Sequence, residues 1–327
     1  MSRILIVFTG GTISMKLDPV TGGAVPALSG REIIAFDPGL SEVAELDVID
    51  HARLPGPHWT PARMFGLSEL LHRELESEDI AGAVVTHGTD TLEETAYFSD
   101  LRHSSSKPVV FTGAMRNASE LGYDGPANLR AAVRVAADPG SASQGVLIVL
   151  NQMIHAASAA TKSDTQAVET FHSPVFGPLG MVDNDGVRYF RALPSRLVLQ
   201  GGRFEEHVDL LQMYAGADSR FIDFSRQSGA RGIVIEGTGR GNVPPAAIPG
   251  IQRFLDAGLP VVIASRCAQG RVLDTYAYEG AGRDLRKRGA LFAGTLTGAK
   301  ARIRLMIALG CAAGPGELRE LFEAGSY

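Results

Sequence analysis

The chain has 327 residues, of which 45% are hydrophobic and 20% charged, and its 31 basic and 36 acidic residues give a formal net charge of −5. This composition is typical of a globular protein, and the length favours two domains over one. Because the net charge is mildly negative and no block of Lys or Arg occurs, the sequence argues against a nucleic-acid partner. The longest apolar runs, such as residues 145–150, fall far short of the ~20 residues that a membrane span needs, so no membrane partner is expected.

The two cysteines, Cys267 and Cys311, are isolated and have no metal-ligand spacing around them. The sequence therefore predicts neither a disulfide framework nor a zinc site, and no cofactor or other metal is expected. The first apolar run, residues 4–8, ends at two glycines and is too short for the apolar core of a signal peptide. We expect a cytoplasmic protein that begins with a β-strand.

The N-terminal half alternates short β-branched runs with amphipathic helical segments. This alternation predicts an α/β fold with a mostly parallel sheet flanked by helices. One helix is expected to begin at Thr60 and Pro61, because Thr is a good cap and Pro suits the first helical position. Another is expected at residues 90–94, where Thr91 and Glu94 have the spacing of a capping box. The predicted strands are residues 4–8, 82–86, 108–111 and 146–150.

A smaller C-terminal α/β domain is predicted from the same alternation in the second half of the chain. Its strands are expected near residues 232–235 and 259–264, and its last two helices at 300–309 and 316–323. Between the two halves the pattern breaks into Ser, Arg and Gly residues, which indicates a linker. The predicted bounds are 1–193 for the larger N-terminal domain, 194–207 for the linker and 208–327 for the smaller domain.

Three hydroxyl- and glycine-rich segments directly follow predicted strands: TGGTIS at residues 9–14, THGTDT at 86–91 and TGAMR at 112–116. In an open parallel sheet, ligands bind beyond the carboxyl ends of the strands, so these segments predict a binding site. The first segment lacks both the dinucleotide-binding pattern and the P-loop lysine, which argues against a phosphate ligand. The remaining chemistry consists of hydroxyls, the carboxylate of Asp90 and a candidate amine.

Lys162 is that candidate amine, in the segment ATKSDT at residues 160–165. A threonine hydroxyl is a poor nucleophile unless a neighbouring base removes its proton, and a lysine amine can do so. Taken alone, each residue also has a plainer interpretation. Lys162 fits an exposed surface charge, Thr12 a turn residue, Asp90 a helix cap and His87 a packed structural imidazole.

These segments resemble the two signature motifs of the bacterial L-asparaginases, within the asparaginase/glutaminase family. The first motif corresponds to TGGTIS at residues 9–14 and the second to GAVVTHGTDTL at 82–92. Further similarity covers essentially the whole chain. It runs through GAMR at 113–116, DGPANL at 124–129, TK at 161–162, FGPLG at 176–180 and GTL at 294–296.

The resemblance implies hydrolysis of L-asparagine to L-aspartate and ammonia through a threonine acyl-enzyme (EC 3.5.1.1). It implies that Thr12 attacks the side-chain amide while Thr89, Asp90 and Lys162 form a hydrogen-bonded set beside it. Which threonine attacks first stays open at this point. The backbone N–H of Thr89 is expected to face the developing oxyanion, and Ala114 to offer its backbone to the leaving amide.

Substrate recognition follows from the same resemblance. Asp90 is expected to bind the substrate α-ammonium, with Gly11 and Gly88 lining the site. The resemblance also implies a homotetramer, a dimer of dimers in which a neighbouring subunit completes each site. Asn242, in GRGN at residues 239–242, matches the neighbour's contribution, whereas the acidic partner has only the rough candidates Tyr276 and Glu279.

Two segments depart from the family pattern. The loop at residues 15–26, MKLDPVTGGAVP, lacks the tyrosine that closes over the site in much of the family, although its glycines suit a mobile lid. The carboxylate-binding segment reads LPGPHWT at residues 54–60 and lacks the usual serine, so either His58 or backbone amides are expected to bind the substrate carboxylate. Other functions therefore stay open: a glutaminase, a tRNA-amidotransferase-like subunit, or a non-catalytic amino-acid sensor.

Overall fold

The computed structural model describes residues 1–193 and 195–323. These residues divide into two compact units, Met1–Arg196 and Leu197–Tyr327, and each is described by itself below. The predicted linker begins at Pro194, which lies outside the described residues, and the predicted C-terminal helix ends at Glu323, where they stop. The bounds predicted for the domains and the linker stay a prediction.

The first unit is built on an eight-stranded sheet in the part of the chain described. Its helices are α1 (Gly30–Ile34), α2 (Pro61–Leu75), α3 (Leu92–Arg102) and α4 (Gly125–Ala137). The strands of this unit are β1 (Arg3–Gly10), β2 (Met15–Leu17), β3 (Ala24–Pro26), β4 (Glu45–Leu54), β5 (Ile80–Thr86), β6 (Val109–Thr112), β7 (Val146–Leu150), β8 (Met153–Ala156), β9 (Thr161–Lys162), β10 (Phe171–His172), β11 (Gly180–Asp183) and β12 (Gly186–Tyr189).

The sheet is mostly parallel, as predicted, and its strand order is β12-β11-β8-β7-β6-β5-β1-β4. Strands β4, β1, β5, β6 and β7 run parallel, and β8, β11 and β12 extend the sheet antiparallel at one side. Strand β1 is buried along almost its whole length because both neighbours and both faces cover it. The outer strand β4 alternates exposed and half-buried residues, and the two short strands β2 and β3 form a hairpin directly after β1. None of these three strands was predicted from the sequence.

Prolines explain where two predicted strands begin later than expected. Strand β6 begins at Val109 because Pro108 has no amide hydrogen to donate, although its carbonyl accepts a hydrogen bond from Ala83 at 2.9 Å. Likewise, Pro260 precedes the strand that was expected to begin at residue 259, and its carbonyl accepts from Ile233 at 3.1 Å. The carbonyl of a proline can thus accept a hydrogen bond from a neighbouring strand although the proline itself precedes the strand.

The predicted start of α2 is confirmed, and the predicted capping box of α3 is wrong. Thr60 caps α2 by accepting a hydrogen bond from the amide of Arg63. Thr91 occupies the N-cap position of α3, but its side chain makes no capping bond and donates to the carbonyl of Gly56 at 2.8 Å. A contact with another loop has replaced the local cap.

The second unit contains, among the described residues, a four-stranded parallel sheet whose strands are neighbours in chain order. Its core consists of apolar side chains from this sheet and its helices. A smaller C-terminal α/β domain and its last two helices are therefore confirmed. The strands are β13 (Val208–Gln212), β14 (Gly232–Gly237), β15 (Val261–Ser265) and β16 (Leu291–Phe292), and the helices are α5 (Arg220–Gln227), α6 (Ile248–Asp256), α7 (Gly282–Arg288), α8 (Gly298–Cys311) and α9 (Pro315–Glu323).

Candidate active site at the carboxyl ends of the strands

Three neighbouring parallel strands, β1, β5 and β6, end at the same edge of the sheet. Phe8 of β1 pairs with Thr86 of β5, and Thr86 pairs with Thr112 of β6. The segments that carry the predicted site residues therefore leave the sheet side by side. This edge is where ligands bind in open parallel sheets.

Glycines allow two of these segments to touch through their backbones. Gly11 has a φ of +80°, and a Cβ there would lie 2.4 Å from the amide nitrogen of Gly88. A Cβ at Gly88 would lie 2.6 Å from the amide nitrogen of Gly56. No other residue type fits such close approaches without a backbone shift. The contact brings together the residues that follow it, Thr12 after β1 and Thr89 after β5.

Lys162, Thr89 and Asp90 form a side-chain group that we call the lysine cluster. The Lys162 Nζ donates to Thr89 Oγ1 at 2.9 Å and to Asp90 Oδ1 at 2.7 Å. The Lys162 side chain is only 16% exposed, whereas that of Asp90 is 58% exposed. The interpretation of Lys162 as an exposed surface charge is therefore wrong. The interpretation of Asp90 as a helix cap is also wrong, because the cap position belongs to Thr91.

A two-residue strand holds Lys162 in this position. Strand β9 pairs antiparallel with β10, and Lys162 lies opposite Phe171. The Phe171 side chain is 4% exposed, so burial of the ring anchors the short ladder. Lys162 thus lies in the segment that follows the antiparallel strand β8 and contacts Thr89, just after the end of β5.

The Thr12 turn, residues 11–14, is held mainly by hydrogen bonds to its own carbonyls. Gly11 O accepts from the Ser14 amide at 2.9 Å and from Ser14 Oγ at 2.8 Å. Ser14 O accepts from the amides of Ala27 and Leu28, both at 2.9 Å. Thr12 is half-buried and directly follows Gly11, whose backbone contacts that of Gly88.

Ala114 is fully buried in the segment that follows β6, and a carboxylate holds that segment in place. The Asp124 carboxylate accepts hydrogen bonds from the amides of Met115 at 3.0 Å and Arg116 at 2.9 Å. The Asn128 side-chain nitrogen donates to Gly113 O and to Asp124 Oδ2, both at 3.0 Å. The backbone around Ala114 is therefore fixed from both sides.

His87 is fully buried, which confirms its predicted structural character. Its Nδ1 lies 2.9 Å from Gly88 O, and its ring centroid lies 4.5 Å from that of Trp59. Because burial disfavours the charged imidazolium, the pKa of His87 falls from its ordinary value to about 4. The neutral ring must carry its proton on Nδ1 to donate to the Gly88 carbonyl. His87 thereby fixes the carbonyl of the residue that precedes Thr89.

The predicted carboxylate-binding segment forms a 3₁₀ turn, Gly56–His58. Pro57 has no amide hydrogen, and the amides of His58 and Trp59 donate within the turn to Pro55 O and Gly56 O. The His58 side chain is exposed, and a Cβ at Gly56 would lie 3.1 Å from the Asp90 Cβ. The glycine at position 56 therefore allows the turn to approach Asp90 closely.

The predicted lid segment is the hairpin of β2 and β3. Its tip is exposed, with Val20 at 90%. Two bonds tie its base to the segment after β6: the Leu17 amide donates to Ser119 Oγ, and the Ala118 amide donates to Met15 O, both at 3.0 Å. The hairpin is thus anchored at its base and open at its tip.

Asn242 belongs to the second unit, in the turn that follows β14. It pairs with Thr238 as an isolated bridge, and Thr238 Oγ1 donates to the Asn242 carbonyl at 3.1 Å. Its side-chain oxygen is buried without a hydrogen-bond partner among the residues described. Tyr276 and Tyr278 of the same unit stack at 5.9 Å between centroids and are both exposed.

Two features are absent from residues 1–193 and 195–323. No group of three His, Cys, Asp or Glu side chains there is arranged to hold a metal ion. No helix in the same residues is long and apolar enough to cross a bilayer. Of the two cysteines, Cys267 is exposed and Cys311 is half-buried.

Sequence reasoning missed three residues that support the site. Trp59 packs on His87, Asn128 holds Gly113, and Tyr123 donates from its hydroxyl to the Ile13 carbonyl at 2.5 Å. Asp124 and Asn128 have an i, i+4 spacing at the start of a helix, which was the available signal for a shared network. The sequence offered no such signal for Tyr123, because its partner lies 110 positions away.

Comparisons with known proteins agree with this architecture. The family model described as "Asparaginase, N-terminal" matches residues 3–195, and the model "Glutaminase/Asparaginase C-terminal domain" matches residues 207–322. An L-asparaginase of Bacillus licheniformis is 36% identical over 307 residues, which cover 94% of this chain and 95% of that protein. A probable L-asparaginase of Deinococcus radiodurans is also 36% identical, over 100% of this chain and 99% of that protein.

A solved structure gives the same result at the level of the fold. A probable cytoplasmic L-asparaginase from Campylobacter jejuni superposes with a TM-score of 0.87 at 29% sequence identity, over 98% of this chain and 99% of that chain. Family models thus match both units of the chain, and curated relatives match nearly its full length. The chain therefore belongs to the asparaginase family.

Proposed function

We propose that the protein is an L-asparaginase that hydrolyses L-asparagine to L-aspartate and ammonia, with Thr12 as the first nucleophile. The observation that carries this proposal is the lysine cluster. A largely buried amine contacts both a threonine hydroxyl and a carboxylate, next to a second threonine at the strand ends. Membership of the asparaginase family and relatives named L-asparaginase support the same reaction.

In the first half-reaction, the Thr12 hydroxyl oxygen attacks the side-chain amide carbon of the substrate. The backbone N–H of Thr89 stabilises the oxyanion of the tetrahedral intermediate. The C–N bond then breaks, and the amide nitrogen leaves as ammonia after receiving the proton that Thr12 has lost. The product of this step is an ester between Thr12 and the β-carboxyl group of aspartate.

In the second half-reaction, a water molecule beside Thr89 and Lys162 attacks the ester. The water gives up a proton toward the hydroxyl and amine of the lysine cluster, which the 2.9 Å contact between Lys162 and Thr89 favours. As the ester bond breaks, that proton passes on to the Thr12 oxygen, so the Thr12 hydroxyl is restored and aspartate leaves. Two hydroxyls near one amine therefore suit the two steps.

Substrate recognition uses the groups around the cluster. Asp90 binds the α-ammonium, and the 58% exposure of its side chain supports this role. Ala114 offers its backbone to the leaving amide, and Gly11 and Gly88 line the site. His58 binds the α-carboxylate from the exposed turn at the end of β4.

The proposed assembly is a homotetramer, a dimer of dimers, in the cytoplasm. Asn242 would complete the site of a neighbouring subunit, and its side-chain oxygen has no hydrogen-bond partner within residues 1–193 and 195–323. The similarity to a probable cytoplasmic L-asparaginase supports the location. Light scattering at micromolar concentration tests the assembly, and an active monomer would exclude it.

The function is tested by ammonia release from L-asparagine, with L-glutamine and D-asparagine in parallel. Wild type is expected to act on L-asparagine. The Thr12→Ala variant should lose at least ~1000-fold in turnover, because removal of a nucleophile abolishes the covalent route. Thr12→Ser is the matched variant, since it keeps a hydroxyl in the same position and should retain measurable turnover.

Each contrary result has a distinct meaning. If the folded wild type releases no ammonia from any of the three substrates, an amino-acid sensor or a different amide substrate is favoured. A preference for L-glutamine would favour a glutaminase. Normal turnover by Thr12→Ala would exclude Thr12 as the nucleophile.

A further inference from the structure

The carbonyl of Ile13, the residue directly after Thr12, accepts a hydrogen bond from outside its own turn. The donor is the hydroxyl of Tyr123, at 2.5 Å. The other carbonyls of the Thr12 turn accept hydrogen bonds from donors close in sequence. These donors are Ser14 Oγ and the amides of Ser14, Met15, Ala27 and Leu28. Tyr123 therefore connects this turn to a distant part of the chain.

The phenol ring is held so that its hydroxyl keeps this direction. The ring meets Phe36 edge-on, with centroids 5.4 Å apart and planes at 76°, and it packs against the core of the first unit. A Cβ at Gly125 would lie 2.5 Å or less from the outer atoms of the ring, so the glycine at the start of α4 makes room for it. Burial and the neighbouring Asp124 raise the pKa of Tyr123, so the hydroxyl keeps its proton and remains a donor.

Tyr123 and Asp124 are adjacent and reach two different strand ends. Tyr123 bonds to the turn after β1, while the Asp124 carboxylate bonds to the amides of Met115 and Arg116 after β6. One dipeptide at the start of α4 therefore sets the backbone on both sides of the lysine cluster. A change in its geometry would shift the Thr12 turn against the segment that carries Ala114.

We propose that Tyr123 is a positioning residue for Thr12: its hydrogen bond to the Ile13 carbonyl fixes the turn from which the nucleophile attacks. This inference rests on the proposed role of Thr12 as nucleophile. The hydroxyl of Tyr123 takes no part in bond making. It limits the orientations of the turn, which matters because displacements of about 1 Å can reduce the rate of an oriented attack by up to ~100-fold.

The test is the Tyr123→Phe variant, which keeps the packed ring and removes only the hydroxyl. On L-asparagine, kcat should fall about tenfold, within the range that misplaced reacting groups produce, while KM stays within about twofold. L-Aspartic acid β-hydroxamate forms the same acyl-enzyme with a different leaving group, so kcat/KM for both substrates should fall by a similar factor if the attack of Thr12 is affected.

Tyr189→Phe is the matched control. The Tyr189 hydroxyl lies 2.6 Å from Ser141 Oγ, the side chain is also half-buried, and burial raises its pKa to about 12. Tyr189 lies on β12, at the far antiparallel side of the sheet. Its variant should lose a similar amount of thermal stability and keep the wild-type kcat.

The outcomes separate the inference from the proposed function. If Tyr123→Phe keeps a kcat within twofold of wild type while Thr12→Ala is inactive, the positioning role is excluded and the proposed nucleophile stands. If both tyrosine variants lose thermal stability alike and neither changes kcat, the phenol serves the fold alone, which also excludes the role. If Thr12→Ala keeps its activity, the proposed nucleophile falls and the inference falls with it.

Discussion

The lysine cluster and the Thr12 turn lie side by side but are held together by different means. In the lysine cluster, side chains hold one another through bonds of 2.9 Å and 2.7 Å from the Lys162 Nζ. In the Thr12 turn, backbone carbonyls are satisfied by amides, by Ser14 Oγ and by one tyrosine hydroxyl, and Gly11 packs directly on Gly88. Changing a side chain in the cluster should therefore alter chemistry alone, whereas changing the backbone of the turn should alter chemistry and folding together.

Substitution of Gly11 tests the backbone side of this comparison and has the largest expected effect. Gly11→Ala adds a Cβ 2.4 Å from the Gly88 amide at a φ of +80°. We expect the free energy of unfolding to fall by about 2–5 kcal/mol, from backbone strain plus overpacking, and turnover to be lost. Denaturant unfolding and ammonia release are the measurements.

Gly216→Ala separates strain from collision. Gly216 has nearly the same φ, +81°, and nothing lies within 4 Å of its Cβ position. This control should lose only about 1 kcal/mol and keep full turnover. Equal losses in the two variants would show that the Gly11–Gly88 contact contributes nothing beyond local strain.

Substitution of Lys162 tests the side-chain side of the comparison. Lys162→Met keeps the length and apolar stem of the side chain and removes the amine, so turnover should fall at least ~100-fold, the low end for general base catalysis. The variant should fold normally, because strands β9 and β10 pair through their backbones. Steady-state kinetics and thermal unfolding measure the two effects separately.

Lys107→Met is the control for that variant. The Lys107 ammonium also makes two hydrogen bonds, to Leu75 O at 2.9 Å and to Ser77 O at 2.6 Å, but it lies away from the strand ends that carry Thr12 and Thr89. It should lose some stability and keep its activity. Near-normal turnover of Lys162→Met would remove Lys162 from the mechanism.

The third prediction concerns His87, which supports the backbone between the two regions and should affect stability more than turnover. In the unfolded chain its pKa is near the ordinary 6.5, whereas burial lowers the pKa in the folded protein to about 4. As the pH falls, the unfolded state takes up the proton first. Stability from neutral His87 is therefore complete above pH 6.5 and declines toward pH 4, by roughly 2–3 kcal/mol.

The measurement is the free energy of unfolding against pH for wild type, His87→Asn and His72→Asn. His87→Asn should be less stable at every pH, because it leaves a cavity, but its stability should depend less on pH between 6.5 and 4. The exposed His72 should leave the wild-type slope unchanged. An identical slope in all three proteins would contradict the prediction for His87.

The sequence correctly predicted the elements that depend on a continuous local pattern of residues. Residues 146–150 form an uninterrupted apolar run, and the strand has the same bounds. Strand β4 was missed because it lies at the sheet edge and carries alternating charged residues such as Asp47 and Arg53, which hide the apolar pattern. The capping box was wrong because the Thr91 hydroxyl contacts Gly56, a partner 35 positions away.

For the site, the reactive residues could be predicted from the sequence, but the residues that hold them in position could not. Thr12, Thr89, Asp90 and Lys162 stand out through motif resemblance, and their chemical types alone suggested a hydroxyl–amine–carboxylate site. The bond that ties Tyr123 to Ile13 depends on how α4 packs near the end of β1, and no local pattern encodes that arrangement.

The position of Lys162 in the chain also affects the order in which the sheet and the lysine cluster form. All five strands of the parallel part of the sheet lie before residue 151, whereas the lysine lies after the first antiparallel strand, 72 positions from its carboxylate partner. Contacts so distant in sequence form late, because a long loop must close before they contribute. During synthesis, the chain would complete its parallel strands before it contained Lys162. The sheet is therefore made before the side chain that completes the lysine cluster.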